Sequence, residues 1–164
     1  PLTEEGSTDR ELPEVTPIPI VHDSNDFDPL QVNQVKPLFN GDEATFVDRD
    51  DAVSELSPIV DYLLEHPDYT VILAGTTATA GTNEQCKELS LRRAEAVRQL
   101  MIDMGTSETQ IKHVIGLGYD HEFHVEDLNA DGSLNEKNAP ENRAVLVIGT
   151  STEAAQILEK YYIE

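Results

Sequence analysis

Four apolar runs of strand length alternate with two segments of helical period, and this alternation constrains the fold more than any other feature. The runs cover residues 32–39, 69–74, 111–117 and 143–148. The second stops at Gly75 and the third at Gly118. Between them, residues 51–66 place Ala52, Leu56, Ile59 or Val60, and Leu63 one helical turn apart. Residues 84–104 do the same with Leu89, Ala94, Val97, Leu100, Met101 and Met104, and Gly105 is a natural stop. Pro58 lies inside the first helical pattern and predicts a kink there, or a separate short first helix. Strand–helix–strand units this short favour right-handed crossovers within one sheet, which puts both helices on one face.

The predicted fold is therefore α/β: a two-layer sandwich with a β-α-β-α-β-β mixed sheet and the helices on one face. A short C-terminal helix is predicted after Thr150, because Thr150 and Glu153 have capping-box spacing. Residues 18–21 suit an added edge strand, where proline is tolerated, and residues 119–142 form a long polar loop. Leu56, Leu63, Val71, Leu73, Leu89, Val97, Leu100, Val114, Val145 and Val147 are the expected core.

The 164 residues suffice for one such domain, expected over 18–164. Residues 1–17 hold three prolines and five acids with almost no apolar pattern, and read as a flexible acidic linker. The chain begins at Pro1 with no basic-then-apolar leader, so it reads as a processed or excised fragment whose anchor or leader lies outside it. The net charge of −21 excludes a phosphate-neutralising surface for nucleic acid and repels anionic lipid. Membrane attachment is expected only through a segment absent from this chain. A single cysteine, Cys86, excludes an intramolecular disulfide framework and a cysteine-rich metal site.

Several pieces, in order, carry a resemblance. They are Gly75-Thr-Thr77-Ala-Thr-Ala-Gly81, Leu89-Ser90-Leu-Arg-Arg93-Ala94-Glu-Ala-Val97, Gly105, Gly116-Leu-Gly118, and Asn142-Arg143-Ala-Val145. Together they resemble the OmpA-like C-terminal domain over about residues 35–148. The resemblance implies a non-enzymatic, extracytoplasmic cell-envelope module, in the periplasm or at the cell surface, that holds peptidoglycan without a covalent bond. In that family a loop aspartate and a helix arginine clamp the ammonium and carboxylate of the stem peptide's diaminopimelate. An arginine fork matches a carboxylate with two hydrogen bonds, and an aspartate receives an ammonium.

Carried over by position, the arginine is Arg93 and the threonine before the loop acid is Thr77. The acid itself falls on Ala78. The family's helix asparagine falls on Cys86, and the second arginine of its N-R-R-V strand on Ala144. The resemblance therefore implies weak binding of the stem peptide. Asp42, after the first strand, is the candidate substitute acid. The alternative is an envelope protein-interaction module, or a calcium-stabilised one, that has lost peptidoglycan binding.

Residue types alone give weaker signals. Lys87, Arg92, Arg93 and Arg98 crowd one predicted helix; as surface charge they have partners such as Glu88 for Arg92, one turn away. Asp127, Asn129, Asp131 and the Ser133 carbonyl, with Gly132 at the bend, have the order of a calcium loop, although position 12 is Asn138. The competing reading is a connection rich in Asx turns. The five histidines read as loop-surface residues, and Ser90 as a packing or capping residue because no nucleophile elbow accompanies it. No acid, base or nucleophile constellation points to catalysis, and no cofactor is expected beyond the calcium candidate.

Overall fold

The computed structural model describes residues 21–23, 27–36, 39 and 44–161. The linker expected over 1–17, residues 18–20 of the expected edge strand, and Asp42 lie outside these. The described elements are β1 (Val21–Asp23), β2 (Val32–Val35), α1 (Arg49–Glu65), β3 (Val71–Thr76), α2 (Asn83–Asp103), β4 (Ile111–Gly118), α3 (Ala139–Asn142), β5 (Val145–Gly149) and α4 (Glu153–Leu158). The sheet order is β1-β2-β5-β3-β4. The outer pairs β1–β2 and β3–β4 are parallel, and β5 runs antiparallel to β2 and β3 between them. The mixed sheet and the helix–strand alternation are those expected from the sequence.

Strand periodicity assigns the two faces. Val71, Leu73, Val145 and Val147 point to one side and pack with Leu56, Ile59, Leu63, Val97, Leu100 and Met101 of α1 and α2. Ile72, Ala74, Leu146 and Ile148 point to the other side, where α4 covers them with Ala154, Ala155 and Leu158. Both long helices thus share a face, while the short C-terminal helix closes the opposite one. This explains why β3 and β5 are buried at every position.

Four local expectations are corrected. First, α1 runs unbroken through Pro58, so the separate short first helix does not form. The carbonyl that loses its helical donor there belongs to Ser54, an exposed residue. Second, the cap of α4 is Thr152, whose side chain accepts from the Ala155 N–H. Thr150 instead shares a 2.6 Å hydrogen bond with Thr70 across the strand ends. Third, Leu89 and Val114 are only partly buried, Leu89 because it faces a groove described below. Fourth, residues 119–142 are not a plain loop: they contain α3 and an antiparallel bridge between Leu128 and Leu134.

Candidate functional site

Two glycines set the position of α2. Gly75 of β3 and Gly116 of β4 are register partners. A Cβ at Gly75 would lie 2.0 Å from the Ser90 carbonyl oxygen, and one at Gly116 would lie 2.2 Å from that of Lys87. The helix therefore rests backbone-to-backbone on a flat patch of the sheet, which only glycine permits. Ser90, fully buried, completes the contact: its hydroxyl donates to the Lys87 carbonyl at 3.0 Å and accepts from the Gly118 N–H at 3.1 Å. This gives Ser90 the packing role read from the sequence. The start of α2 is fixed by a capping box between Thr82 and Gln85.

With α2 seated this way, a groove of about 1080 Å³ opens between its first turns, the 77–81 segment and the chain entering β5. Thr77, Ala78 and Arg93 all line it, as do Leu89 and Cys86. The structure thus brings together three of the four residues singled out from the sequence. Ala78 is only 6% exposed. Thr77 is 5% exposed and its hydroxyl is buried without a hydrogen-bond partner among the described residues. Arg93 lies over the Phe39 ring, 4.9 Å from its centroid, a cation–π contact that fixes the guanidinium at the groove wall.

Lys36, Arg92 and Arg143 also line the groove, so four cations converge on it in a chain of net charge −21. Lys36 pairs with Glu141 at 3.2 Å, and Arg143 lies 3.8 Å from Glu136. The i,i+4 pair anticipated between Glu88 and Arg92 is not formed: among the described residues neither has a hydrogen-bond or ion-pair partner. Lys36 and Arg143 were not read as site residues. Arg143 stood within the N-R-x-V motif, whereas nothing local marked Lys36.

Beneath the groove wall lies a residue whose role the sequence concealed. Asp127 is fully buried. One carboxylate oxygen accepts from the Thr79 hydroxyl at 2.6 Å; the other accepts from the Thr79 N–H at 3.0 Å and the Asn142 side-chain amide at 2.9 Å. Burial pushes its pKa up, but the Thr79 and Asn142 hydrogen bonds outweigh this and hold it below its ordinary 3.8. Asn142 also bonds the Val125 N–H and carbonyl. Asp127 thereby ties the 77–81 segment to the approach to β5, across the groove.

This geometry bears on the calcium candidate. Asp127 is turned inward, and both of its oxygens are occupied. Asn129 and Asp131 stay at the surface in a turn closed on itself, with Asp131 accepting from the Ser133 N–H and hydroxyl. Asn129 and Asp131 meet on the Ser133 hydroxyl, whereas Asp127 is held by Thr79 and Asn142. Among the described residues no group of three or more His, Cys, Asp or Glu is placed to hold a metal ion.

The histidine expectation is corrected in part. His121 and His124 are partly buried, and His121 Nε2 and His124 Nδ1 have no hydrogen-bond partner among the described residues. The cause is the C-terminal turn, which anchors the 119–124 segment: Lys160 and Tyr161 both donate to Glu122. Phe123 meanwhile inserts into the core under α4. Burial and then the neighbouring His124 push the His121 pKa down to about 4.

Comparison with known proteins adds an independent line. Among solved structures, the peptidoglycan-associated lipoprotein from Burkholderia pseudomallei is similar at 25% identity and a TM-score of 0.53, over 69% of this chain and 87% of that one. The C-terminal domain of Helicobacter pylori MotB shares the fold at 16% identity and a TM-score of 0.52, over 79% of this chain and 97% of that one. No curated protein matches the chain. The family comparison matches residues 38–140, more than half of the sequence and including the 77–81 segment and α2, and on this match the chain belongs to the OmpA family.

Proposed function

We propose that this domain is a non-enzymatic cell-envelope module that holds peptidoglycan non-covalently, with the groove between α2 and the 77–81 segment as its binding site. The observation that carries the reading is the convergence of Arg93 with Thr77 and Ala78 in a cation-lined groove, on a chain whose overall field would otherwise repel a carboxylate. Two further points support it. The Thr77 hydroxyl is a buried donor with no partner among the described residues. The similar structure from Burkholderia pseudomallei is, by its description, a peptidoglycan-associated lipoprotein.

In this reading Arg93 takes the carboxylate of a stem-peptide diaminopimelate. Ala78 offers the accompanying ammonium nothing, so binding is weak. Asp42 is the outside candidate for the missing acid. The domain sits outside the cytoplasm. No catalytic step is assigned to it.

The test is sedimentation with purified peptidoglycan sacculi. Retention above the level of an unrelated protein of similar charge is expected, with loss of retention in Arg93→Ala. Absence of retention in the wild type would favour the second reading, an envelope protein-interaction module that keeps the fold without the ligand.

A further inference from the structure

The described groove contains four cations but a single carboxylate among its lining residues, Glu88. Three other described acids near it are engaged. Asp127 is fully buried and accepts three hydrogen bonds from Thr79 and Asn142. Glu141 is paired with Lys36, and Glu136 lies within reach of Arg143. Glu88 is exposed and, among the described residues, has no hydrogen-bond or ion-pair partner. It stands one turn before Arg92 on α2 and beside the stripe formed by Leu89 and Arg93. Neighbours one turn apart on a helix have Cβ atoms about 5–6 Å apart. That spacing holds for Glu88 and Arg92; Arg93, which takes the carboxylate, is one residue further on and lines the same groove, so an acid and a guanidinium are both present there for the two charges of an amino-acid zwitterion.

We propose that Glu88 is the ammonium-binding residue of this groove, so that the acid half of the clamp has moved from the 77–81 segment to α2. The inference rests on the peptidoglycan reading given above, and it specifies which residue reads the amine. Glu88 is at the solvent-facing rim, so its attraction for an ammonium is that of an exposed ion pair. The ligand's ammonium therefore contributes about two- to fivefold in affinity and not more. Selectivity for the amine is present but shallow, and salt weakens it.

The experiment is calorimetric titration of two stem tripeptides, one carrying diaminopimelate and one carrying 2-aminopimelate, which keeps the chain length and lacks the distal amine. Wild type, Glu88→Gln and Asp42→Asn are compared. The expected result is that removing the amine weakens binding to wild type and to Asp42→Asn about two- to fivefold, and leaves binding to Glu88→Gln unchanged. An equal loss in wild type and Glu88→Gln overturns the proposal. So does a loss that vanishes only in Asp42→Asn, or no measurable preference, or no measurable binding, in the wild type. Sedimentation with sacculi on the same preparations separates the two levels of inference. Retained wild type with any of those results removes Glu88 alone, whereas loss of retention removes the peptidoglycan reading itself. Glu88 is exposed and the glutamine is of equal size, so an unchanged melting temperature serves as the control for folding.

Discussion

The Asp127 carboxylate receives the Thr79 hydroxyl at 2.6 Å, joining two residues 48 positions apart in sequence beneath the groove wall. The bond does not stand alone, because the Thr79 N–H and the Asn142 amide reach the other oxygen. A buried carboxylate with three donors is stable as a charge, and each donor lost leaves a desolvated anion behind. The groove wall therefore hangs on a buried polar contact as well as on apolar packing.

Asp127→Asn is expected to destabilise the domain by about 2–4 kcal/mol. The introduced NH2 would face either the Thr79 N–H and the Asn142 amide together, both donors, or the Thr79 hydroxyl, which must then turn to accept, and the buried charge that the three donors solvate is lost. Thr79→Val, which removes only the hydroxyl, should cost about 1–2 kcal/mol. Urea denaturation of the two variants checks the order. Equal, small losses would show that the contact does not hold the wall.

Gly116→Ala should be more damaging than an ordinary glycine-to-alanine change in a strand. The added methyl would sit 2.2 Å from the Lys87 carbonyl oxygen and 2.7 Å from the Leu91 N–H nitrogen, both backbone atoms that cannot turn aside. Helix α2 must then lift off the sheet, carrying Arg93 with it. A loss of about 2–4 kcal/mol is expected, in the range of overpacking and strain at tight sites. Gly132→Ala is the contrast: nothing lies within 4 Å of its added carbon, and only its φ of 89° resists the change. Thermal melts of the two variants should separate clearly.

These residues show how far the sequence carried. The strand and helix periods, the shared face of α1 and α2, and the placement of Thr77, Ala78 and Arg93 together were legible, because each follows from local pattern and motif order. Asp127 was not. Its spacing with Asn129, Asp131 and Gly132 has the order of a calcium loop, and only the tertiary contact with Thr79 shows where its side chain goes. Lys36 and Glu88 were hidden for a similar reason: a groove collects residues from separate elements, and no spacing rule links them. The separate first helix suggested by Pro58 does not form, because one proline costs a single helical hydrogen bond and the rest of α1 is held by its buried face.

Acidification should act on stability through the partly buried His121. Burial and His124 push His121 from its ordinary 6.5 to about 4, so between these values the unfolded chain binds the extra proton. Stability is then fully present above pH 6.5, falls as the pH drops towards 4, and loses nothing further from this group below that. The slope approaches 1.4 kcal/mol per pH unit, and the total is at most about 3 kcal/mol. The carboxylates of Asp127 and Glu122 are held below their ordinary 3.8 and 4.5, so their losses come at lower pH. His121→Asn keeps an acceptor for the Phe123 N–H, which the ring's Nδ1 now receives at 3.1 Å, and removes the titration. Urea melts from pH 7 to pH 4 should show a flatter dependence in the variant. A slope equal to that of wild type would clear His121 of the effect.

The clamp itself gives the last prediction. Arg93 is the groove cation placed by both the motif and the geometry, held at the wall by its contact with Phe39. A hydrogen bond between an ionised pair is worth about 1.5–3 kcal/mol, so Arg93→Ala should weaken binding of a diaminopimelate tripeptide by about ten- to more than a hundredfold. Loss of the cation–π contact adds a structural component, which Arg93→Lys separates: it retains the charge but not the planar fork. If the fork matters, the lysine variant recovers only part of the affinity. Ala78→Asp works in the opposite direction. Position 78 lines the groove and is nearly enclosed, so a carboxylate there would meet an incoming ammonium in a less screened setting than the rim offers. Its affinity should rise about tenfold over wild type, with a modest stability cost from placing a second carboxylate one residue from the Thr79 N–H that Asp127 already uses. Calorimetry on the three variants decides the matter: tight wild-type binding indifferent to Arg93→Ala would place the ligand elsewhere on the domain.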